Sequence, residues 1–198
     1  RTCIFIKLHI TLVNFKLRHI CVFSIKKLMK SKKNLVFLGM MGSGKSSIGL
    51  LAAKKLKLNF IDIDKEIEKK LDQSISKIFE TKGEKFFRKF EEKVTLKKLK
   101  LSSTVISLGG GAFQNKNIRQ EVLKKHISFW LNLDNKTLLN RIRNSKKRPL
   151  AVNSTEDELI DLIKKRSNIY SKALYEIKCD YLSKNEIVKI ILKIYEAY

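Results

Sequence analysis

One stretch constrains this chain more than any other: "NLVFLGMMGSGKSSIG", running from Asn34 to Gly49. A short apolar run leads into a turn with G-x-x-x-x-G-K-S spacing, Gly39 to Ser46, and a helix-forming segment follows. Glycines at these positions let successive backbone N–H groups turn inward around phosphate oxygens. The N-terminus of the helix that follows adds partial positive charge. Lys45 reaches the β- and γ-phosphates, and the Ser46 hydroxyl suits Mg²⁺. A strand ending in such a loop commits the chain to an α/β architecture with ligands at the carboxyl ends of its strands.

The remaining sequence repeats that alternation. "LNFIDID", "STVIS", "HISFWLNL" and "YEIKCDYL" read as further strands, making five with "NLVFLG". Helical segments separate them, some with evident start and stop signals. Ser74 caps "SISKIFETKG", which ends at Gly83. Thr155 with Glu158, and Ser183 with Glu186, have capping-box spacing. Strands joined by helices imply a three-layer α/β/α fold around a five-stranded parallel sheet. At 198 residues the chain fits one such domain, residues 31–198.

Residues 1–30 are different. They contain no acidic residue, and their brief strand-like alternation slips phase at Val13. They read as an N-terminal extension outside the core, with Met29 as the expected natural start. They lack the apolar block and small-residue site of a secretory signal.

Composition narrows the class of function. No apolar run approaches the roughly 18 residues of a membrane span. The three cysteines and three histidines have neither pairing nor metal-ligand spacing, which points to reduced thiols in a cytoplasmic protein. The formal net charge of +24 admits nucleic acid as a partner. However, 35 of the 43 basic residues are Lys, scattered among apolar positions. We read that as a bias in residue usage and expect no nucleic-acid partner and no membrane partner.

Against this Lys-rich background the arginines stand out, because a guanidinium offers a planar fork for carboxylate or phosphate that an ammonium cannot copy. Arg88, Arg141, Arg143, Arg148 and Arg166 all fall in the α/β region. Asp62 and Asp64 close the second strand as D-I-D, where period two sets both on one face. One would serve a metal and the other would orient a hydroxyl. Capping of the next helix by Asp64 is an equal alternative at this stage. Gly109, Gly110 and Gly111 end the third strand and leave backbone open to a ligand.

Taken together, "GMMGSGKSSIG", "FIDIDKEIE", "FFRKFEE", "SLGGGA", "KKRPL" and "KKRSNIY" occur in the order found in shikimate kinases. The chain resembles that family, P-loop enzymes related to nucleoside monophosphate kinases, from about Lys33 to Tyr198. The resemblance implies ATP-dependent transfer of a phosphoryl group to the 3-hydroxyl of shikimate, on the way to chorismate and the aromatic amino acids. It implies that Gly42, Ser43, Gly44, Lys45, Ser46 and Ser47 hold ATP, with Arg141 stacking on adenine and the lid arginine Arg148 closing over the phosphates. Ser46 and Asp62 would hold Mg²⁺. Asp64 would bind shikimate and act as base. Arg88 and Arg166 would grip its carboxylate, Glu91 would position that grip, and Gly109, Gly110 and Gly111 would touch the substrate. Residues 62–92 become the substrate-binding segment and 144–155 the lid of a monomer.

The sequence departs from the family where Asn168 replaces a frequent proline and Ser47 a frequent threonine. A kinase for another small hydroxy acid, such as gluconate, is the nearest alternative. A GTPase is disfavoured because "DNKTLL" lacks the N-K-x-D pattern. A nucleic-acid-dependent ATPase is disfavoured because glycines follow "TVIS" where an acidic pair would be needed.

Overall fold

The computed structural model describes residues 33–143 and 154–198. The reading of residues 1–30 therefore lies outside the described residues, as does that of Arg148. Strand β1, Leu35–Leu38, has every residue buried, as does β3, Thr104–Ser107. A strand with no exposed alternate position must be covered on both faces.

The other strands are β2 (Asn59–Asp62), β4 (Ile127–Asn132) and β5 (Tyr175–Lys178). All five pair in parallel, in the order β2-β3-β1-β4-β5. The central strand β1 thus has later strands on either side. The loop after it opens at the point where the strand order diverges, the place where open α/β sheets bind ligands.

Helix α1, Lys45–Leu56, follows that loop and packs on β2, β3 and the last helix, α7 (Lys184–Glu196). Helix α2, Ile63–Leu71, leads to α3, Ile75–Leu99, which is capped by Ser74. A kink divides α3 at Gly83, where φ is +76°. A Cβ there would meet nothing within 4 Å, so backbone conformation alone explains the glycine. The expected stop at Gly83 is therefore a bend between two helical stretches. Beyond β3 come a short 3₁₀ turn, Ala112–Gln114, and α4, Lys116–Lys125. Helices α5, Asn135–Arg143, and α6, Glu156–Tyr170, complete the set among the described residues. Both expected capping boxes form, at Thr155–Glu158 and Ser183–Glu186.

Two details differ from expectation. Helix α4 was not anticipated, although Asn115 caps it and Ile118 and Val122 form its buried stripe. And β2 stops at Asp62, with Ile63 already helical. Period two therefore does not relate Asp62 to Asp64. The cap is Asp62, whose carboxylate accepts from Asp64 N at 3.1 Å and Lys65 N at 3.4 Å.

Candidate active site

The phosphate loop owes its shape to its own backbone. Gly39, Gly42 and Gly44 all have positive φ. At Gly39, where φ is +141°, a Cβ would also lie 2.8 Å from the Leu131 carbonyl of β4. Only glycine satisfies both the angle and the space. Lys45, 8% exposed, folds back and donates to the Gly39 and Met40 carbonyls, each at 2.9 Å. The Ser43 Oγ is buried against Gly39 without a hydrogen-bond partner among the described residues. Arg141, at the end of α5, donates from Nη1 to the Gly42 carbonyl at 3.1 Å and so ties that helix to the loop.

A cavity of about 460 Å³ opens from this loop. Gly42, Gly44, Lys45, Ser46 and Ser47 line one end. Asp64, Arg88, Glu91, Gly110, Gly111 and Arg166 line the other, with an apolar wall of Ile75, Phe79 and Phe87. Four separate stretches of chain thus converge beside the phosphate loop. Of the expected residues, Ser43, Asp62, Gly109 and Arg141 do not line the cavity but contact its walls.

The acceptor end is held by charge. Arg88 donates from Nη1 to Glu91 at 2.8 Å, and from Nη2 and Nε to Glu84 at 3.0 and 3.1 Å. A guanidinium has five N–H donors. The two left over are one on each terminal nitrogen, and they are donors that an incoming carboxylate can use. The faces of Phe79 and Phe87 lie 5.8 and 5.2 Å from Arg88 Cζ and brace it further.

Arg166 is 7% exposed, yet no carboxylate lies within ion-pair distance of it among the described residues. It donates from Nη1 to the soft Met40 sulfur at 3.7 Å and lies against the Tyr170 hydroxyl. A buried cation so placed strongly favours an incoming anion.

Burial raises the Asp64 carboxyl to about 7, with the Asp62 and Glu91 charges adding to the rise and Lys45 opposing it. Burial also raises Glu91, against the pull of Arg88 and Arg166. A carboxylate poised near neutrality suits proton transfer from a hydroxyl.

The glycine run owes its composition to these side chains. A Cβ on Gly109 would fall 2.5 Å from Glu91 Oε1 and 2.6 Å from Asp64 Oδ1. One on Gly111 would fall 2.7 Å from Arg88 Cζ. Sequence reasoning found the run but missed its neighbours Glu68, Phe79 and Phe87, which also line the cavity. It also missed Tyr170, the last residue of "KKRSNIY", whose hydroxyl donates to the Gly110 carbonyl. Spacing gave little signal for the apolar wall, because Phe79 and Phe87 lie on opposite sides of the Gly83 kink and one helical period does not relate them.

The Ser46 hydroxyl donates to Asp62 Oδ2 at 2.5 Å, putting two hard oxygen atoms together at the start of α1. Among the described residues no cluster of three or more His, Cys, Asp or Glu could hold an ion. Two hard oxygens at the start of α1 suit Mg²⁺, which keeps several waters and takes substrate phosphates as ligands.

Known proteins resemble this chain over most of its length. The family model described as shikimate kinase matches residues 41–196. A shikimate kinase of Bartonella quintana is 37% identical over 185 residues, covering 91% of this chain and 88% of that protein. The span is longer than residues 31–198 alone could supply, so the similarity reaches into the N-terminal stretch that the motifs left out. A shikimate kinase of Bacillus subtilis is 39% identical over 168 residues, covering 82% and 88%. The structure of shikimate kinase from Acinetobacter baumannii in complex with shikimate superposes with a TM-score of 0.80 at 31% identity, covering 87% of this chain and 97% of that one. A gluconokinase from Sinorhizobium meliloti, at 15% identity and a TM-score of 0.53, shares the fold alone. With a cavity that joins a phosphate loop to a fork of arginines, and with relatives of this extent, the chain belongs to the shikimate kinase family.

Proposed function

We propose that the chain transfers the γ-phosphoryl group of ATP to the 3-hydroxyl of shikimate, giving shikimate 3-phosphate and ADP. The observation that carries this reading is Arg166, buried beside Asp64 and Arg88 with no carboxylate at ion-pair distance among the described residues. A ringed hydroxy acid supplies the missing anion and presents its hydroxyls towards Asp64. The apolar wall of Ile75, Phe79 and Phe87 suits the ring.

In the transfer, the acceptor oxygen bonds to the γ-phosphorus while the bond from phosphorus to the bridging oxygen breaks. ADP leaves with that electron pair, and the hydroxyl proton passes to the Asp64 carboxylate. Most of the acceleration comes from positioning and charge neutralisation. Lys45 exchanges its loop carbonyls for phosphate oxygens, and the backbone N–H groups of residues 42–47 hold the rest of the triphosphate. Ser46 and Asp62 would hold Mg²⁺, which neutralises phosphate charge when bound. The same reading makes residues 62–92 the acceptor segment and 144–155 the lid that carries Arg148. Arg141 stacks on adenine, Glu91 and the glycine run support the acceptor, and the enzyme works as a cytoplasmic monomer.

The test is ADP release measured with ATP and Mg²⁺ in the presence of shikimate, of gluconate, or of no acceptor. Release that depends on shikimate is expected. Equal or faster release with gluconate would overturn the assignment.

A further inference from the structure

Tyr170 lies one helical turn beyond Arg166 on α6, so both side chains point from the same face. Its ring is 1% exposed and packs against Trp130, with centroids 6.1 Å apart and planes at 45°. Its hydroxyl donates to the carbonyl of Gly110, in a turn 60 residues away in sequence. Burial raises the phenol to about 12, with Arg166 beside it pulling the other way, so it stays a proton donor at any working pH.

That turn is where the acceptor groups meet. Gly109 lies against Asp64 and Glu91, and Gly111 against Arg88. A Cβ on Gly110 itself would stand 3.6 Å from Arg166 Nη1. One hydroxyl therefore joins the helix that carries Arg166 to the turn packed against Asp64, Glu91 and Arg88.

We propose that Tyr170 is a positioning residue for the reaction: its hydroxyl holds the glycine turn against α6 and so fixes the span between Arg166 and Asp64. The inference rests on the reading of the site as an acceptor pocket for a hydroxylated carboxylic acid. It predicts an effect centred on the acceptor: the hydroxyl bond reaches no residue of the phosphate loop, and Gly110 faces that loop beside Met41 N, outside residues 42–47.

The experiment compares the parent chain, Tyr170→Phe and Trp130→Phe by steady-state kinetics with shikimate and ATP varied separately. Each is assayed well below its own melting temperature, so that a loss of stability does not enter the rates. Tyr170→Phe removes the hydroxyl and keeps the ring. It is expected to raise KM for shikimate about tenfold, the scale of one hydrogen bond lost at the half-buried wall of the site, with KM for ATP unchanged. Trp130→Phe loosens the packing of the same ring and keeps the hydroxyl, and KM for shikimate is expected to stay near the parent value. An unchanged KM for shikimate in Tyr170→Phe would overturn the proposal, as would an equal rise in both KM values or the same rise in Trp130→Phe. A parent chain without shikimate-dependent ADP release would instead sink the reading of the site on which the proposal stands.

Discussion

The two ends of the cavity are built in different ways. The phosphate end comes from one contiguous stretch, residues 39–47, shaped by positive φ angles and by hydrogen bonds within the loop. The acceptor end comes from α2, α3, the turn after β3, and α6, and is held by side chains acting on side chains. Arg88 is fixed by two glutamates and two aromatic rings, and Asp64 and Glu91 press on Gly109. A contiguous backbone nest can serve many enzymes that use ATP. An end assembled from four segments can be retuned for one acceptor without disturbing the nest, and that is where specificity belongs.

The largest expected effect sharpens this division. Asp64→Asn keeps the shape and removes the base, so kcat should fall by roughly 10²- to 10⁴-fold, the range for loss of a positioned acid or base. ATP affinity, followed by nucleotide titration, should hold. An equal loss of ATP binding would mean the ends are not separable. In the parent, kcat/KM for shikimate should fall as pH drops through about 7, where Asp64 takes up its proton.

Next comes the carboxylate grip. Arg88→Lys retains a positive charge but loses the fork and both terminal donors. KM for shikimate should rise by roughly ten- to a hundredfold, the scale of hydrogen bonds to a charged group. KM for ATP is the control, and a matching rise there would remove Arg88 from the acceptor role.

Paired glycine substitutions test the comparison more directly. In Gly39→Ala the new methyl meets a backbone carbonyl that cannot yield, at a φ that L-residues avoid. It should cost roughly 1–3 kcal/mol of stability and weaken ATP binding. In Gly111→Ala the methyl meets the end of a long side chain, Arg88. Arg88 has to shift and strain its bonds to Glu84 and Glu91, but a side-chain end yields more than a backbone carbonyl, so stability should drop less while KM for shikimate rises. Reversed signatures in thermal melts and kinetics would break the comparison.

The smallest effect concerns stability against pH. Folding raises Asp64 from 3.8 to about 7, so its ionisation works against the fold. The contribution of the neutral carboxyl is fully present below about pH 4 and is lost as pH rises through 7. Asp64→Asn should therefore be more stable than the parent at pH 8, by roughly 1–3 kcal/mol, and the gap should close towards pH 4. A constant gap across that range would show that Asp64 is not raised.

How much of this was legible depends on how local each cause was. The caps at Ser74, Thr155 and Ser183 bond within three residues, and their spacing alone reveals them. The phosphate loop is equally local. The D-I-D pair was misjudged because Asp62 competes for the backbone N–H groups of Asp64 and Lys65, ending the strand two residues before the pattern does. The glycine run was found for an incomplete reason. Its sequence suggested backbone open to a ligand, whereas carboxylates and a guanidinium from distant helices already fill the space where a Cβ would stand at Gly109 and Gly111.

From the residues alone come the alternation of strands and helices, the shape of the phosphate loop and the kind of chemistry, since each follows from contacts a few bonds away along the chain. The folded arrangement alone decides that Arg166 is buried with no carboxylate at ion-pair distance among the described residues, that Asp64 is raised towards neutrality, and that Tyr170 reaches Gly110. Those properties depend on how much water and which charges surround a group, and segments up to 126 residues apart supply that environment.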